Sequence, residues 1–152
     1  KLFLYGLGAF LMAHICYIVA FKVSQQQPFR VGRVDFIRLF FLNFPIYLFA
    51  AFVYFYIRGG LGEMKIPVIA YLIIIVMMAT TARERFKNTN VNSFWQVMLG
   101  AAFFLISDGI LALNMFYQSF PESGVMVMGT YVIAQFLIVR GILAHIQDSK
   151  IA

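Results

Sequence analysis

The sequence predicts an all-α integral membrane protein that crosses the bilayer five times. Of its 152 residues, 62% are hydrophobic and only 12% are charged, and the mean hydropathy is +0.86. Soluble domains carry about 25% charged residues, so this composition favours hydrocarbon as the surrounding solvent. No apolar segment shows the strict alternation of apolar and polar residues that is typical of membrane strands. We expect residues 1–152 to form a single polytopic transmembrane domain.

Five apolar segments are long enough, or nearly so, for helices that cross a bilayer, which need about 17 to 25 residues. They cover residues 2–21, 36–57, 66–82, 95–117 and 124–144. The connections between them contain Pro, Gly, Asn and Gln, which favour turns. Pro45 predicts a kink within the second segment, and Gly6, Gly8, Ala9 and Ala13 are interpreted as small residues for close helix packing.

The positions of basic residues predict the orientation, because Lys and Arg favour the cytoplasmic side of a membrane. Lys1, Arg58 and Lys65 lie on one side, and the other nine of the twelve flank the first and third connections or the C-terminus. The C-terminus of this multi-pass protein is therefore predicted to be cytoplasmic, in the cell membrane if the source is bacterial. Because Lys1 then lies outside without a signal sequence, we expect preceding helices, in an odd number if the N-terminus of the native protein is cytoplasmic.

Asp108 lies near the middle of the fourth predicted span, among mostly apolar residues. An ionisable side chain at that depth costs about 2.5 to 3.5 kcal/mol, and residues of this kind usually have a function. Ser107 and Asn114 lie on an adjacent stripe of the same helix. We therefore expect Ser107, Asp108 and Asn114 to face one cavity.

Four polar residues of other predicted helices lie at a depth similar to that of Asp108. They are His14, Tyr71, Tyr131 and Gln135. We expect them to converge on one pocket with Asp108, although depth and helical phase do not show which helices are neighbours. Structural roles are the alternative, since a membrane His can simply bond across helices and Tyr is common at membrane interfaces.

Several other chemistries have little support in the sequence. Cys16 is the only cysteine, and His145 lies far along the chain from His14, so neither a disulfide nor a zinc site is predicted. The chain contains no GxSxG motif and no phosphate-binding glycine loop. The net charge of +6 comes from short loops. No metal, organic cofactor or nucleic-acid partner is predicted, and the oligomeric state is left open.

Three segments in order, with a weaker fourth, resemble the YhhN-type lysoplasmalogenase family. The three cover residues 8–21, 100–114 and 129–138, and the weaker one covers residues 66–71. The resemblance extends over essentially all of the chain. It implies a multipass hydrolase that cleaves the vinyl-ether bond of lysoplasmalogens, which yields a fatty aldehyde and glycerophosphoethanolamine or glycerophosphocholine.

The resemblance also implies that part of the family's architecture precedes this sequence. Family members typically have about eight spans, so the five helices are expected to be the C-terminal part of an eight-helix bundle. The preceding helices would carry a Gly-Asp motif with a second carboxylate. The family often has a basic residue at the position of Asn114, which can alter how the cavity holds a lipid head group.

The mechanism that the resemblance implies is acid catalysis without a cofactor. A proton is transferred to the double-bond carbon away from oxygen, and water attacks the resulting oxocarbenium ion. Asp108 is the expected proton donor, and His14 is expected to orient the water or the head group. The expected supporting or substrate-binding residues are Ser107, Tyr131, Gln135, Tyr71 and Asn114. The expected partners are the lysophospholipid and the bilayer.

A proton-coupled transporter or channel is the main alternative, in which Asp108 and His14 form a proton relay. The sequence shows no repeat that relates its halves and no pair of broken helices of the kind transporters use. A purely structural membrane subunit is a further alternative, but it leaves Asp108 unexplained.

Overall fold

The computed structural model describes residues 2–25 and 36–151, nearly all of which are helical. The five long helices are α1 (Leu2–Val23), α2 (Phe36–Ile57), α3 (Lys65–Glu84), α4 (Val91–Phe116) and α5 (Ser123–Ile151). Each is long and apolar enough to cross a membrane, so the predicted all-α, five-helix membrane fold is confirmed. Lys1, Arg30 and Arg33, which contribute to the predicted orientation, lie outside the described residues.

Local signals explain where the helices begin and how far they extend. Asn90 caps α4, because its Oδ1 accepts a hydrogen bond of 2.7 Å from the backbone N–H of Ser93. This helix therefore begins before the predicted span. Helix α5 continues to Ile151, past the end of the predicted apolar segment. Polar residues lower the hydropathy of a segment, but they do not by themselves end a helix. Pro45 lies inside α2, which is helical on both sides of it.

Helices α4 and α5 pack closely against each other through glycines. A Cβ atom built on Gly100 would lie 2.6 Å from Ile138 Cγ1 and 2.9 Å from the carbonyl oxygen of Ala134. One built on Gly141 would lie 2.8 Å from Val97 Cγ2. Lipid tails are as apolar as the helices, so close packing of small residues is a main cause of helix association in a membrane.

The glycines of α1 do not have this role. A Cβ atom at Gly6 or Gly8 would meet no described atom within 4 Å, although α1 as a whole contacts α3. The interpretation of these two glycines as close-packing residues is therefore wrong. A run of small residues shows that a helix can pack closely, but it does not show which face has a neighbour.

A different glycine fixes the turn that follows α2. A Cβ atom at Gly60 would lie 1.9 Å from the carbonyl oxygen of Phe116 and 2.9 Å from its carbonyl carbon. Because both neighbours are backbone atoms, a side chain at Gly60 cannot be accommodated by rotating a neighbouring side chain. The turn after α2 is thus held directly against the last turn of α4.

At one end of the bundle, a buried arginine connects several helices. Arg85, just after α3, is 0% exposed, and its Nη1 donates to the carbonyl oxygen of Phe21 at 3.3 Å and to the Ser24 hydroxyl. Its Nη2 donates to the Ser93 hydroxyl at 3.0 Å, and that hydroxyl donates to the carbonyl oxygen of Gly141 at 2.6 Å. Burial lowers the pKa of Arg85 to about 10, which leaves the guanidinium charged at neutral pH.

We expect Gly100→Ala to destabilise the protein, because the added methyl group overlaps Ile138 and the backbone of α5. Overpacking of this kind typically costs about 1 to 3 kcal/mol. Gly129→Ala is the matched control, since a Cβ atom at Gly129 on α5 meets no described atom within 4 Å. Thermal unfolding in detergent should show a lower midpoint for Gly100→Ala than for Gly129→Ala. Equal midpoints would contradict the close contact of α4 with α5.

Candidate active site

Asp108 lies between two other helices and is contacted by a polar side chain from each. The Tyr71 hydroxyl of α3 donates a hydrogen bond of 2.8 Å to Asp108 Oδ2. The His14 Nε2 of α1 lies 3.4 Å from the same oxygen. The side chain of His14 is 0% exposed and that of Asp108 is 9% exposed. The structure therefore brings together three of the predicted site residues, one from each of three helices.

The second nitrogen of His14 indicates which form of the ring is present. Nδ1 lies 2.7 Å from the carbonyl oxygen of Phe10, and since a carbonyl oxygen only accepts, Nδ1 carries a hydrogen. In a neutral ring, Nε2 then presents a lone pair toward Asp108. His14 Nε2 has no hydrogen-bond partner among the described residues, so its approach to Asp108 Oδ2 at 3.4 Å is a close contact in a buried location.

Tyr131 and Gln135 belong to a separate polar cluster that joins α1 to α5. The Tyr17 hydroxyl donates to Gln135 Oε1, and Gln135 Nε2 donates to the Tyr131 hydroxyl at 3.0 Å. The amide of Gln135 is thereby bonded on both sides, which fixes its orientation. Tyr17 is not among the predicted site residues, and the structure adds it to the predicted pair.

The ring of Phe104 connects the two clusters. Its centroid lies 5.0 Å from the ring of His14, 5.3 Å from that of Tyr131 and 5.6 Å from that of Tyr17. Phe104 is completely buried. The Tyr131 and Gln135 cluster therefore supports His14 through an aromatic contact, and its described hydrogen bonds do not reach Asp108. Nothing in the sequence distinguishes Phe104 from the other phenylalanines.

Ser107 and Asn114 do not join Asp108 in one cavity, contrary to expectation. The Ser107 hydroxyl donates to the carbonyl oxygen of Val127 on α5 at 3.0 Å. Asn114 Oδ1 accepts a hydrogen bond of 3.1 Å from the backbone N–H of Phe120, in the connection to α5. Ser107 is one residue from Asp108, and the rotation of about 100° between successive helix residues directs it to a different neighbour.

A cavity of about 150 Å³ opens beside Asp108, between α1, α3 and α4. Asp108 and Tyr71 are its only lining residues with polar side chains among those that the structure describes. The other lining residues are Phe3, Gly6, Leu7, Phe10, Val68, Leu111, Ala112, Met115 and Phe116. A carboxyl group at the wall of an apolar cavity can meet the reacting part of a lipid while water is largely excluded.

The site offers few ligands for a metal ion. Across residues 2–25 and 36–151, no group of three or more His, Cys, Asp and Glu side chains is placed to hold one. Cys16 is exposed, and His145 is buried near Arg85 at the other end of the bundle.

The YhhN family model matches residues 1–142. Lysoplasmalogenase TMEM86B of Mus musculus is 30% identical over 143 residues, which cover 94% of this chain and 55% of the relative. TMEM86B of Homo sapiens is 31% identical over 136 residues, which cover 90% of this chain and 52% of the relative. A lysoplasmalogenase of Mycobacterium bovis is 29% identical over 141 residues, with coverages of 91% and 50%.

The chain spans about half the length of these curated relatives. No solved structure matches it at a significant level. The family model, however, extends over most of the chain and includes Asp108 together with the helices that contribute His14 and Tyr71. The resemblance in the three ordered segments is therefore confirmed, and this protein belongs to the YhhN family.

Proposed function

We propose that this protein hydrolyses the vinyl-ether bond of lysoplasmalogens by acid catalysis from Asp108. The contact of Asp108 with Tyr71 and His14, at the wall of an apolar cavity, is the observation that carries the proposal. Relatives that are named lysoplasmalogenases support the substrate class. A lipid whose vinyl ether enters this cavity meets a carboxyl group and little other polar surface.

The reaction requires one proton and one water molecule. The protonated carboxyl group of Asp108 donates its proton to the double-bond carbon away from oxygen, which leaves a carboxylate beside an oxocarbenium ion. The negative charge stabilises that cation, as in enzymes that cleave glycosides through similar ions. Water adds to the cationic carbon and returns a proton to the carboxylate. The hemiacetal then collapses to the aldehyde and the glycerol hydroxyl.

The neighbours of Asp108 have distinct proposed roles. Tyr71 donates a hydrogen bond to Oδ2 and so orients the carboxyl group and stabilises its charged form. His14, whose Nε2 lies 3.4 Å from Asp108 Oδ2, orients the attacking water or the head group in this proposal. Tyr131 and Gln135 hold α1 against α5 beside His14. A second carboxylate, which the resemblance implies, would assist the addition of water.

Asp108→Asn should reduce aldehyde release by about 100-fold or more, the usual contribution of a general acid. The amide has nearly the same shape and can still accept from Tyr71, so the fold should persist. The full-length protein is reconstituted in lipid with lysoplasmenylethanolamine, and aldehyde is measured over time. Asp148→Asn is the matched control, because Asp148 is exposed near the end of α5. Undiminished release from Asp108→Asn would remove Asp108 from the mechanism.

The same reconstituted vesicles separate the hydrolase from the transporter alternative. A hydrolase produces aldehyde without a coupled proton flux across the vesicle membrane. Proton or solute flux that depends on Asp108 and His14, without aldehyde, would support a transporter instead.

Tyr71→Phe should lower the rate by at least about tenfold, but less than Asp108→Asn does, since a hydrogen bond to a charged group contributes about 1.5 to 3 kcal/mol. The substitution removes only the hydroxyl and keeps the ring contact with His14. Tyr54→Phe on α2 is the control, because Tyr54 lies outside the cavity at Asp108. Initial rates of aldehyde release provide the measurement. Equal rates for the two variants would argue against a role of the Tyr71 hydroxyl.

We also propose that the C-terminus of α5 is cytoplasmic, from the excess of Lys and Arg on that side. A C-terminal fusion to a reporter that is fluorescent only in the cytoplasm should be fluorescent, whereas a fusion to a reporter active only outside should be inactive. The reverse pattern would invert the proposed orientation.

A further inference from the structure

The cavity at Asp108 runs along helices α1 and α4. Its wall on α4 continues from Asp108 through Leu111 and Met115 to Phe116, eight residues later, which corresponds to about 12 Å along a helix. Its wall on α1 runs from Phe10 back toward the start of that helix. The cavity therefore extends from the carboxyl group toward the end of the bundle that is opposite to Arg85.

The lining beyond Asp108 and Tyr71 suits a hydrocarbon chain. All other lining side chains are apolar, or absent in the case of Gly6. An apolar cavity of about 150 Å³ accommodates a molecule of roughly six carbon atoms. The rings of Phe3 and Phe116 meet edge to face at the far end, with centroids 5.5 Å apart, so a longer chain would fill the cavity with its first carbons and displace or pass beside this ring pair.

Close packing does not explain why residue 6 of this wall is a glycine. Helix interiors disfavour glycine relative to alanine, and a Cβ atom at Gly6 would meet no described atom within 4 Å. Among the described residues, Gly6 therefore leaves this part of the cavity wall open. Gly8 has equally open surroundings, but it lies about 200° further round the helix and does not line the cavity.

We propose that the cavity is the subsite for the hydrocarbon chain of the lipid, and that Gly6 determines the length of chain it accepts. This inference rests on the proposed function for the position of the reacting bond. The vinyl ether lies at Asp108, and the chain extends along α1 and α4 toward Phe3 and Phe116. A larger side chain at residue 6 closes the path to long chains and leaves the space next to Asp108 intact.

The first experiment compares chain lengths in the reconstituted full-length protein. The substrates are a lysoplasmenylethanolamine of natural chain length and an analogue with about four chain carbons, fewer than the roughly six that the cavity holds. Gly6→Leu should lower kcat/KM for the long chain by about tenfold or more and change that for the short chain by less than about twofold. Gly8→Leu should change neither. An unchanged ratio of long to short in Gly6→Leu would overturn the proposal.

The second experiment does not depend on catalysis. Binding of a radiolabelled lysolipid with a saturated long-chain ether, which lacks the vinyl bond, is measured in nanodiscs. Gly6→Leu should weaken binding by about tenfold, Gly6→Ala should weaken it less, and Gly8→Leu should not weaken it. Equal binding by Gly6→Leu and Gly8→Leu would overturn the proposal that the cavity is the chain subsite. Weakened binding together with no aldehyde from the unmodified protein supports the subsite and rejects the proposed function.

Discussion

The interaction on which this structure depends is the sharing of one carboxylate oxygen by two helices. A carboxyl group in hydrocarbon is costly unless it finds polar partners, and Asp108 finds them in Tyr71 of α3 and His14 of α1. Because hydrophobic attraction between helices is weak in lipid, such a contact also has an architectural effect. The hydrogen bond from Tyr71 and the close approach of His14 bring side chains of α3 and α1 to Asp108 on α4, and the cavity lies between these three helices.

The bundle combines one closely packed helix pair with a more loosely attached helix. Glycines bring α4 and α5 into close contact, whereas polar side chains connect α1 to its neighbours at several levels. His14 meets Asp108, Tyr17 donates to Gln135 of α5, and Arg85 connects the end of α1 to α4. A helix fastened at separate points leaves space between them and its neighbours. The proposed lipid site requires such space, which a uniformly packed bundle would not provide.

The sequence predicted the helices and the central contact but not all of the site. Long apolar runs leave few alternatives to membrane helices, and depth along each run correctly grouped Asp108 with His14 and Tyr71. Ser107 was misplaced because the sequence does not identify which helix faces each side of α4. The burial of Arg85 was missed for a similar reason, since counting basic residues in loops does not reveal a network formed by three other helices.

Because Gly60 contacts the backbone of Phe116, the residues that line the cavity on α4 can change less freely during evolution than Gly6 on α1. The end of α4 is fixed by the turn after α2, where even a methyl group would collide with a carbonyl oxygen. On the facing part of α1, a Cβ atom at Gly6 would meet no described atom within 4 Å. By contrast, the Phe3 ring contacts Phe116 and the Phe10 ring contacts Tyr131. Under the proposed function, selection for lipids of a different shape would therefore act first on Gly6, while the wall on α4 is inherited with little change.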